Sequence, residues 1–84
     1  MTYKGYVNDK DLNKFADALT ESNNVTKVKG VNTHGGEIEA YILIENSHWG
    51  LPTDIHELMK SYRVVIVDFS HVSAQGIELV FTLQ

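Results

Sequence analysis

The four histidines are the side chains best suited to hold a metal ion or to move a proton. A metal site on one helix needs histidines three or four residues apart, and a site on one strand needs them two apart. The histidines of this chain have neither spacing: His34, His48, His56 and His71. His56-Glu57 would begin a zinc motif, but Lys60 stands where its second histidine belongs. We therefore predict no metal site and no cofactor.

Asp68, Ser70 and His71 bring the three residue types of a nucleophilic triad close together in the sequence. Nucleophilic catalysis needs these groups to converge in space, which adjacency along the chain does not supply. Ser70-His71 is more typical of a turn whose hydroxyl satisfies backbone amides. We predict that the chain is not an enzyme; a small enzyme using His71 with Asp68 is the alternative.

Glu37, Glu39 and Glu45 alternate along one stretch and would share one face of a strand. General acid catalysis would require one of them to be buried so that its pKa rises. Lys27 and Lys29 on the preceding stretch favour an exposed face of cross-strand ion pairs instead. Such pairs hold the register of two strands and add only about a few tenths of a kcal/mol each.

The composition bounds the class of protein. The 84 residues suit one domain spanning residues 1–84, and they include no cysteine. Small secreted domains usually need disulfides, so we predict a reducing, cytoplasmic location. The first residues lack the apolar core of a signal peptide, and the longest apolar runs, Ala40–Ile44 and Val64–Val67, are far shorter than the ~20 residues of a membrane helix.

The charge distribution narrows the choice of partner. The net charge is −4, and only Lys60 and Arg63 are basic in residues 37–84. Phosphate binding needs clustered cations, so this balance disfavours nucleic acid and anionic membranes. RNA-recognition domains stack bases on sheet aromatics, but here Tyr41 lies between Glu39 and Glu45, which would repel phosphate.

The spacing of apolar residues along the chain predicts two helices and five strands, which must position these side chains. Leu12, Phe15, Ala16 and Leu19 recur with helical spacing, which predicts a helix over about 9–22 capped by Asn8. A second helix, over about 52–61, would begin at Pro52 with Thr53 or Asp54 as its cap. Strands are predicted over 2–7, 25–33, 37–45, 62–70 and 76–83.

The order β-α-β-β-α-β-β predicts an α+β fold. Its first six elements match the ferredoxin-like βαββαβ sandwich, an antiparallel sheet with two helices on one face, here with an extra C-terminal strand. His34-Gly35-Gly36 would close the hairpin, with Val28 opposite Ile42. The fourth strand is apolar on both faces, as a central strand is. We therefore expect the spatial order fifth, fourth, first, third, second, or a fifth strand that pairs with another subunit.

The helix-free side of this sheet is the predicted partner-binding site. Val31, Glu39, Tyr41 and Leu43 would lie on it and give it a mixed, partly apolar character. Trp49, the single tryptophan, would stand at its rim as an interface anchor, or alternatively plug the end of the core.

These observations favour a non-catalytic protein-binding module. We predict a small regulator or inhibitor of a larger protein partner, of the kind that mobile elements or phages encode. One alternative is a small-ligand sensor that acts as a dimer, and another is single-stranded nucleic-acid binding. A homodimer would form through the sheet face or the C-terminal strand.

Overall fold

The computed structural model describes residues 3–4, 7–32, 36–44, 51–73 and 76–84, apart from the side chains of residues 4 and 71–73. The predicted order of the two helices and five strands is confirmed. Their bounds are β1 (Tyr3–Lys4), α1 (Lys10–Thr20), β2 (Val25–Val31), β3 (Glu37–Leu43), α2 (Thr53–Tyr62), β4 (Val64–Ser73) and β5 (Gly76–Leu83).

The five strands form one sheet in the order β1-β2-β3-β5-β4. β1 runs parallel to β2, and the three other pairs of neighbouring strands are antiparallel. The α+β class with two helices and four antiparallel strands is thus confirmed, and β5 lies beside β4 as predicted. The ferredoxin-like strand order is not the one adopted, because β1 lies at an edge instead of between β3 and β4. Since β5 has a neighbour on each side, it does not pair with another subunit.

A local irregularity suits β4 to an edge of the sheet. β4 is irregular, with register shifts between Ile66 and Asp68 and between His71 and Ser73. A bulge breaks the two-residue alternation, so an apolar run through it does not indicate burial on both faces. β3 takes the central position, and β5, which buries Leu79 and Phe81, lies between β3 and β4.

Both helices pack on the same side of the sheet, as predicted. On that side β3 and β5 align Ile38 with Phe81 and Ala40 with Leu79. The ring of Phe15 lies 5.0 Å from the ring of Phe81, edge to face, and 6.0 Å from that of Tyr62. The predicted stripe of α1 is fully buried, and the core comprises Val7, Leu12, Phe15, Ala16, Leu19, Val25, Val28, Ile38, Ala40, Ile42, Ile55, Val64, Leu79 and Phe81.

The helix caps differ from the predicted ones. Asp9, not Asn8, caps α1, and its carboxylate accepts hydrogen bonds from the amides of Asp11 and Leu12. Pro52 precedes α2 without a side-chain cap. Asp54 instead accepts hydrogen bonds from the Ser22 hydroxyl and the Asn24 side-chain amide, at 2.5 and 3.2 Å. This carboxylate joins the start of α2 to the turn before β2.

The β2–β3 hairpin pairs Val28 with Ala40, two residues away from the predicted partner Ile42. Because successive side chains point to opposite sides of a strand, a shift of two residues keeps every side chain on its predicted face. The assignment of residues to the two faces therefore survives the error in register.

A hydrogen-bonded asparagine joins β1 to α1. The side-chain carbonyl of Asn13 accepts hydrogen bonds from the Tyr3 hydroxyl at 2.7 Å and from the Val7 backbone amide at 3.0 Å. The side-chain NH₂ group of Asn13 donates a hydrogen bond to the Val7 backbone carbonyl. Burial raises the pKa of the Tyr3 hydroxyl, and the negative charge of Asp17 adds to this effect, while a backbone hydrogen bond at Val7 lowers the pKa. The neutral hydroxyl is therefore the form that the fold prefers.

The raised pKa of Tyr3 predicts a loss of stability in alkali. The folded chain holds this proton more tightly than the unfolded chain, so the stabilisation is complete below the unfolded pKa of about 10 and falls as the pH rises through the folded value. Urea unfolding at a series of pH values should show the wild type losing stability relative to Tyr3→Phe only in this alkaline range. A difference between the two chains that does not change with pH would contradict the assignment.

Candidate functional site

The side of the sheet away from the helices is here called the open face. Its positions alternate with the buried core residues in the strand register. Among the described residues, both helices bury their apolar stripes on the opposite side. The open face includes Lys27, Lys29 and Val31 of β2, Glu37, Glu39, Tyr41 and Leu43 of β3, Glu78, Val80 and Thr82 of β5, and Val65, Asp68 and Ser70 of β4.

Four of the five predicted contact residues come together on the open face. Val31, Glu39, Tyr41 and Leu43 are all half-buried, so each presents part of its side chain to solvent. Val31 lies at one end of β2, and Leu43 lies at the far end of β3. Trp49, the fifth predicted residue, lies outside the described residues.

Charges of opposite sign lie next to each other across the open face. Lys29 is directly opposite Glu39, and Tyr41 lies in a row between Lys27 on one strand and Glu78 on the other. These side chains surround a depression of about 70 Å³. Small-molecule pockets usually measure about 300–1,000 Å³, so this depression fits the tip of a partner's side chain better than a metabolite.

The Tyr41 ring packs on a glycine of the neighbouring strand. Its ring lies over Gly76, in the space that a Cβ atom at position 76 would occupy. An aromatic side chain that covers a strand glycine in this way supplies the packing that the glycine lacks. The tyrosine is therefore a fixed part of the open face, with its position set by the first residue of β5.

Replacing Gly76 by alanine should therefore displace the Tyr41 ring. The new methyl group would overlap the ring, and overpacking of this kind costs about 1–3 kcal/mol. Urea unfolding of Gly76→Ala, Tyr41→Ala and the double variant measures the coupling. We expect the double variant to be no less stable than Tyr41→Ala alone, because without the ring there is nothing to displace. If the stability losses of Gly76→Ala and Tyr41→Ala add up in the double variant, Gly76 and Tyr41 do not interact.

Of the residues considered for a metal or catalytic site, the structure describes the side chains of His56 on α2, Glu37 and Glu39 on β3, and Asp68 and Ser70 on β4. His56 is exposed on α2, and the carboxylate of Asp68 accepts a hydrogen bond from the Phe69 amide at 2.8 Å. His34, His48 and Glu45 lie outside the described residues, as does the His71 side chain. Within the described ranges, no three histidine, aspartate or glutamate residues lie close enough together to hold a metal ion.

Sequence reasoning missed the two most exposed large apolar side chains of the described chain. Val67 and Phe69 on β4 are 51% and 66% exposed. Their strand reads as central and apolar on both faces, which predicts no exposed edge at these positions. The signal that could have placed them at an edge is Asp68, a charged residue in the middle of the apolar run.

Neither helix in the described part of the chain is long and apolar enough to cross a membrane.

Comparisons with protein-family models, with curated proteins and with solved structures give no match.

Proposed function

We propose that this chain is a non-catalytic protein-binding module that contacts a larger protein through the open face and regulates or inhibits it. One observation carries the proposal: Val31, Glu39, Tyr41 and Leu43 share a side of the sheet that neither helix covers within the described residues. A chain without cysteine suits work in the cytoplasm, where disulfides do not form.

The composition of the open face supports a protein partner over other ligands. Protein interfaces combine partly exposed apolar groups with polar and charged ones, and tyrosine is enriched among the residues that contribute most of the binding energy. Tyr41 lies near the middle of the face, with Val31 and Leu43 toward its ends. Its ring is already held over Gly76, so little conformational entropy is lost when a partner covers it.

The arrangement of charges on the open face supports a partner whose surface carries the complementary pattern of charges. The open-face residues of β2 include two lysines, whereas those of β3, β5 and β4 include Glu39, Glu78 and Asp68. A partner surface that binds well here must carry acidic groups opposite the lysines and basic groups opposite the carboxylates. Opposed like charges cost several kcal/mol, so this pattern selects one partner and one orientation.

Exchanging two charges tests the proposal. The double variant Lys29→Glu with Glu39→Lys keeps the net charge and keeps opposite charges facing each other across β2 and β3. We expect this variant to fold like the wild type and to bind the partner recovered from the native host at least tenfold more weakly. The matched control exchanges Lys14 with Asp17 on the exposed side of α1 and should bind like the wild type. Equal binding by both exchanged variants would contradict a role for the open face.

A further inference from the structure

A second surface lies on β4, at the edge of the sheet, and it does not depend on the function proposed above. Within the described residues, β4 has a strand neighbour on one side only. Natural edge strands are usually protected by lysine, by proline or by being very short. β4 is ten residues long, contains no lysine, arginine or proline, and has Asp68 as its only acidic residue. Two bulges are its only protection of this kind.

The exposed apolar side chains of β4 lie next to each other and beside an apolar cavity. Phe69 pairs with Leu79, so it belongs to the helix-bearing side of the sheet, beyond the part that α2 covers. There it borders an apolar cavity of about 260 Å³, lined also by Ile44, Leu51, Ile66, Ile77 and Leu79. Val67, at the bulge beside it, is also exposed. Exposed apolar groups next to an unpaired strand edge are typical of a site that accepts another strand.

We propose that this edge pairs with β4 of a second copy of the chain, in an antiparallel dimer whose two-fold axis lies midway between the two copies of Phe69. A two-fold axis perpendicular to the sheet makes the two strands antiparallel and keeps the helices of both copies on the same side. Directly opposed residues of an antiparallel pair share a face, so the axis must lie midway between one residue and its own copy. The regular stretch between the two bulges is Asp68–His71, which limits the choice of axis.

The charge of Asp68 excludes the register that is centred on Asp68. That register would place two carboxylates opposite each other, which destabilises a pair of strands. The register centred on Phe69 places Asp68 opposite Ser70 of the second copy, so the two carboxylates are not opposed. It also brings together the two phenylalanine rings, each of which is 66% exposed in the single chain, beside the apolar cavities.

The symmetry of the pairing explains why this association would stop at two copies. Pairing of β4 with β4 uses the same surface twice and closes, whereas pairing of β4 with β1 would continue into a fibre. The regular stretch is short, so the contact belongs to the small, weak class of interfaces.

Light scattering at protein concentrations from about 10 μM to about 1 mM tests the proposal, since weak interfaces associate in this range. The wild type should change from monomer to dimer and form nothing larger. Phe69→Lys should remain a folded monomer, because a charge on the edge prevents pairing. Thr26→Lys, a change at an exposed position on β2, should dimerise like the wild type. A wild type that remains monomeric, or that forms larger species, would overturn the dimer.

Single-cysteine cross-linking tests the register independently of any loss of folding in Phe69→Lys. The chain has no cysteine, so Phe69→Cys introduces the only thiol. Across the proposed axis the two thiol-bearing residues are direct partners, with Cβ atoms about 4.5–5.5 Å apart, close to disulfide distance. Oxidation should give a covalent dimer at least tenfold faster than for Thr26→Cys. Equal rates would overturn the proposed register.

The β4 dimer and the partner-binding role of the open face can be tested separately. Tyr41→Ala lies on the open face and should leave the monomer–dimer equilibrium unchanged, while Phe69→Lys should leave binding of the larger partner unchanged. A dimer that is lost in Tyr41→Ala and kept in Phe69→Lys would overturn the β4 pairing and assign self-association to the open face.

Discussion

Replacing Phe15 by alanine should lower the free energy of unfolding by about 3–5 kcal/mol, the cost of removing a buried phenylalanine. The side chain is 0% exposed, and its ring packs edge to face on Phe81 and next to Tyr62. It therefore joins α1, α2 and β5 at one point. A domain of this size has a total stability of about 4–12 kcal/mol, so the variant should lose a large fraction of it.

Urea unfolding followed by circular dichroism measures this effect. Phe15→Leu is the matched control, because it keeps most of the volume and should cost less than about 1.5 kcal/mol when the core can repack. A Phe15→Ala chain within about 1 kcal/mol of the wild type would mean that the two helices do not share one core with the sheet.

Replacing Tyr41 by alanine should weaken binding of the protein partner by about 30-fold or more. A residue that dominates an interface contributes about 2 kcal/mol or more when truncated, and Tyr41 combines a near-central position with a ring held over Gly76. Loss of the ring would also expose Gly76 and cost some stability. Titration calorimetry should therefore be performed at a temperature where unfolding curves show both chains to be folded.

Tyr41→Phe is the matched control for this prediction. It keeps the ring that covers Gly76 and should retain most of the binding energy. If Tyr41→Ala binds within twofold of the wild type, the centre of the open face does not contact the partner. A loss in Tyr41→Phe as large as that in Tyr41→Ala would assign the binding energy to the hydroxyl instead of the ring.

The elements that could be predicted from the sequence are those with unbroken periodicity. The apolar stripe of α1 recurs every three or four residues, and all four of its predicted members are buried. In β3, Ile38, Ala40 and Ile42 alternate with half-buried residues as predicted. The two faces of the sheet followed from this alternation, although the hairpin register was shifted by two residues.

The strand order could not be predicted, because it depends on interactions that periodicity does not report. The bulged β4 reads as an ordinary strand, and the apolar run Val64–Val67 reads as buried on both faces. In the structure β3 takes the centre of the sheet and β4 takes an edge.

The candidate site was predictable only in part for the same reason. Val31, Glu39, Tyr41 and Leu43 follow from the alternation of two strands and fall on one face. The contact of Tyr41 with Gly76 joins residues far apart in the chain, so no local pattern predicts it. The exposure of Val67 and Phe69 follows from the edge position of β4, which the sequence pattern indicated wrongly.

Lysine labelling in the free and partner-bound chain tests most directly whether the open face is the contact surface. Lys27 and Lys29 are exposed on this face, and Lys10, Lys14 and Lys60 are exposed on the helices. With an amine-reactive reagent, we predict that the partner slows modification of Lys27 and Lys29 at least tenfold and leaves the helix lysines unchanged. Unchanged labelling of Lys27 and Lys29 in the complex, with protection on the helices instead, would contradict the account.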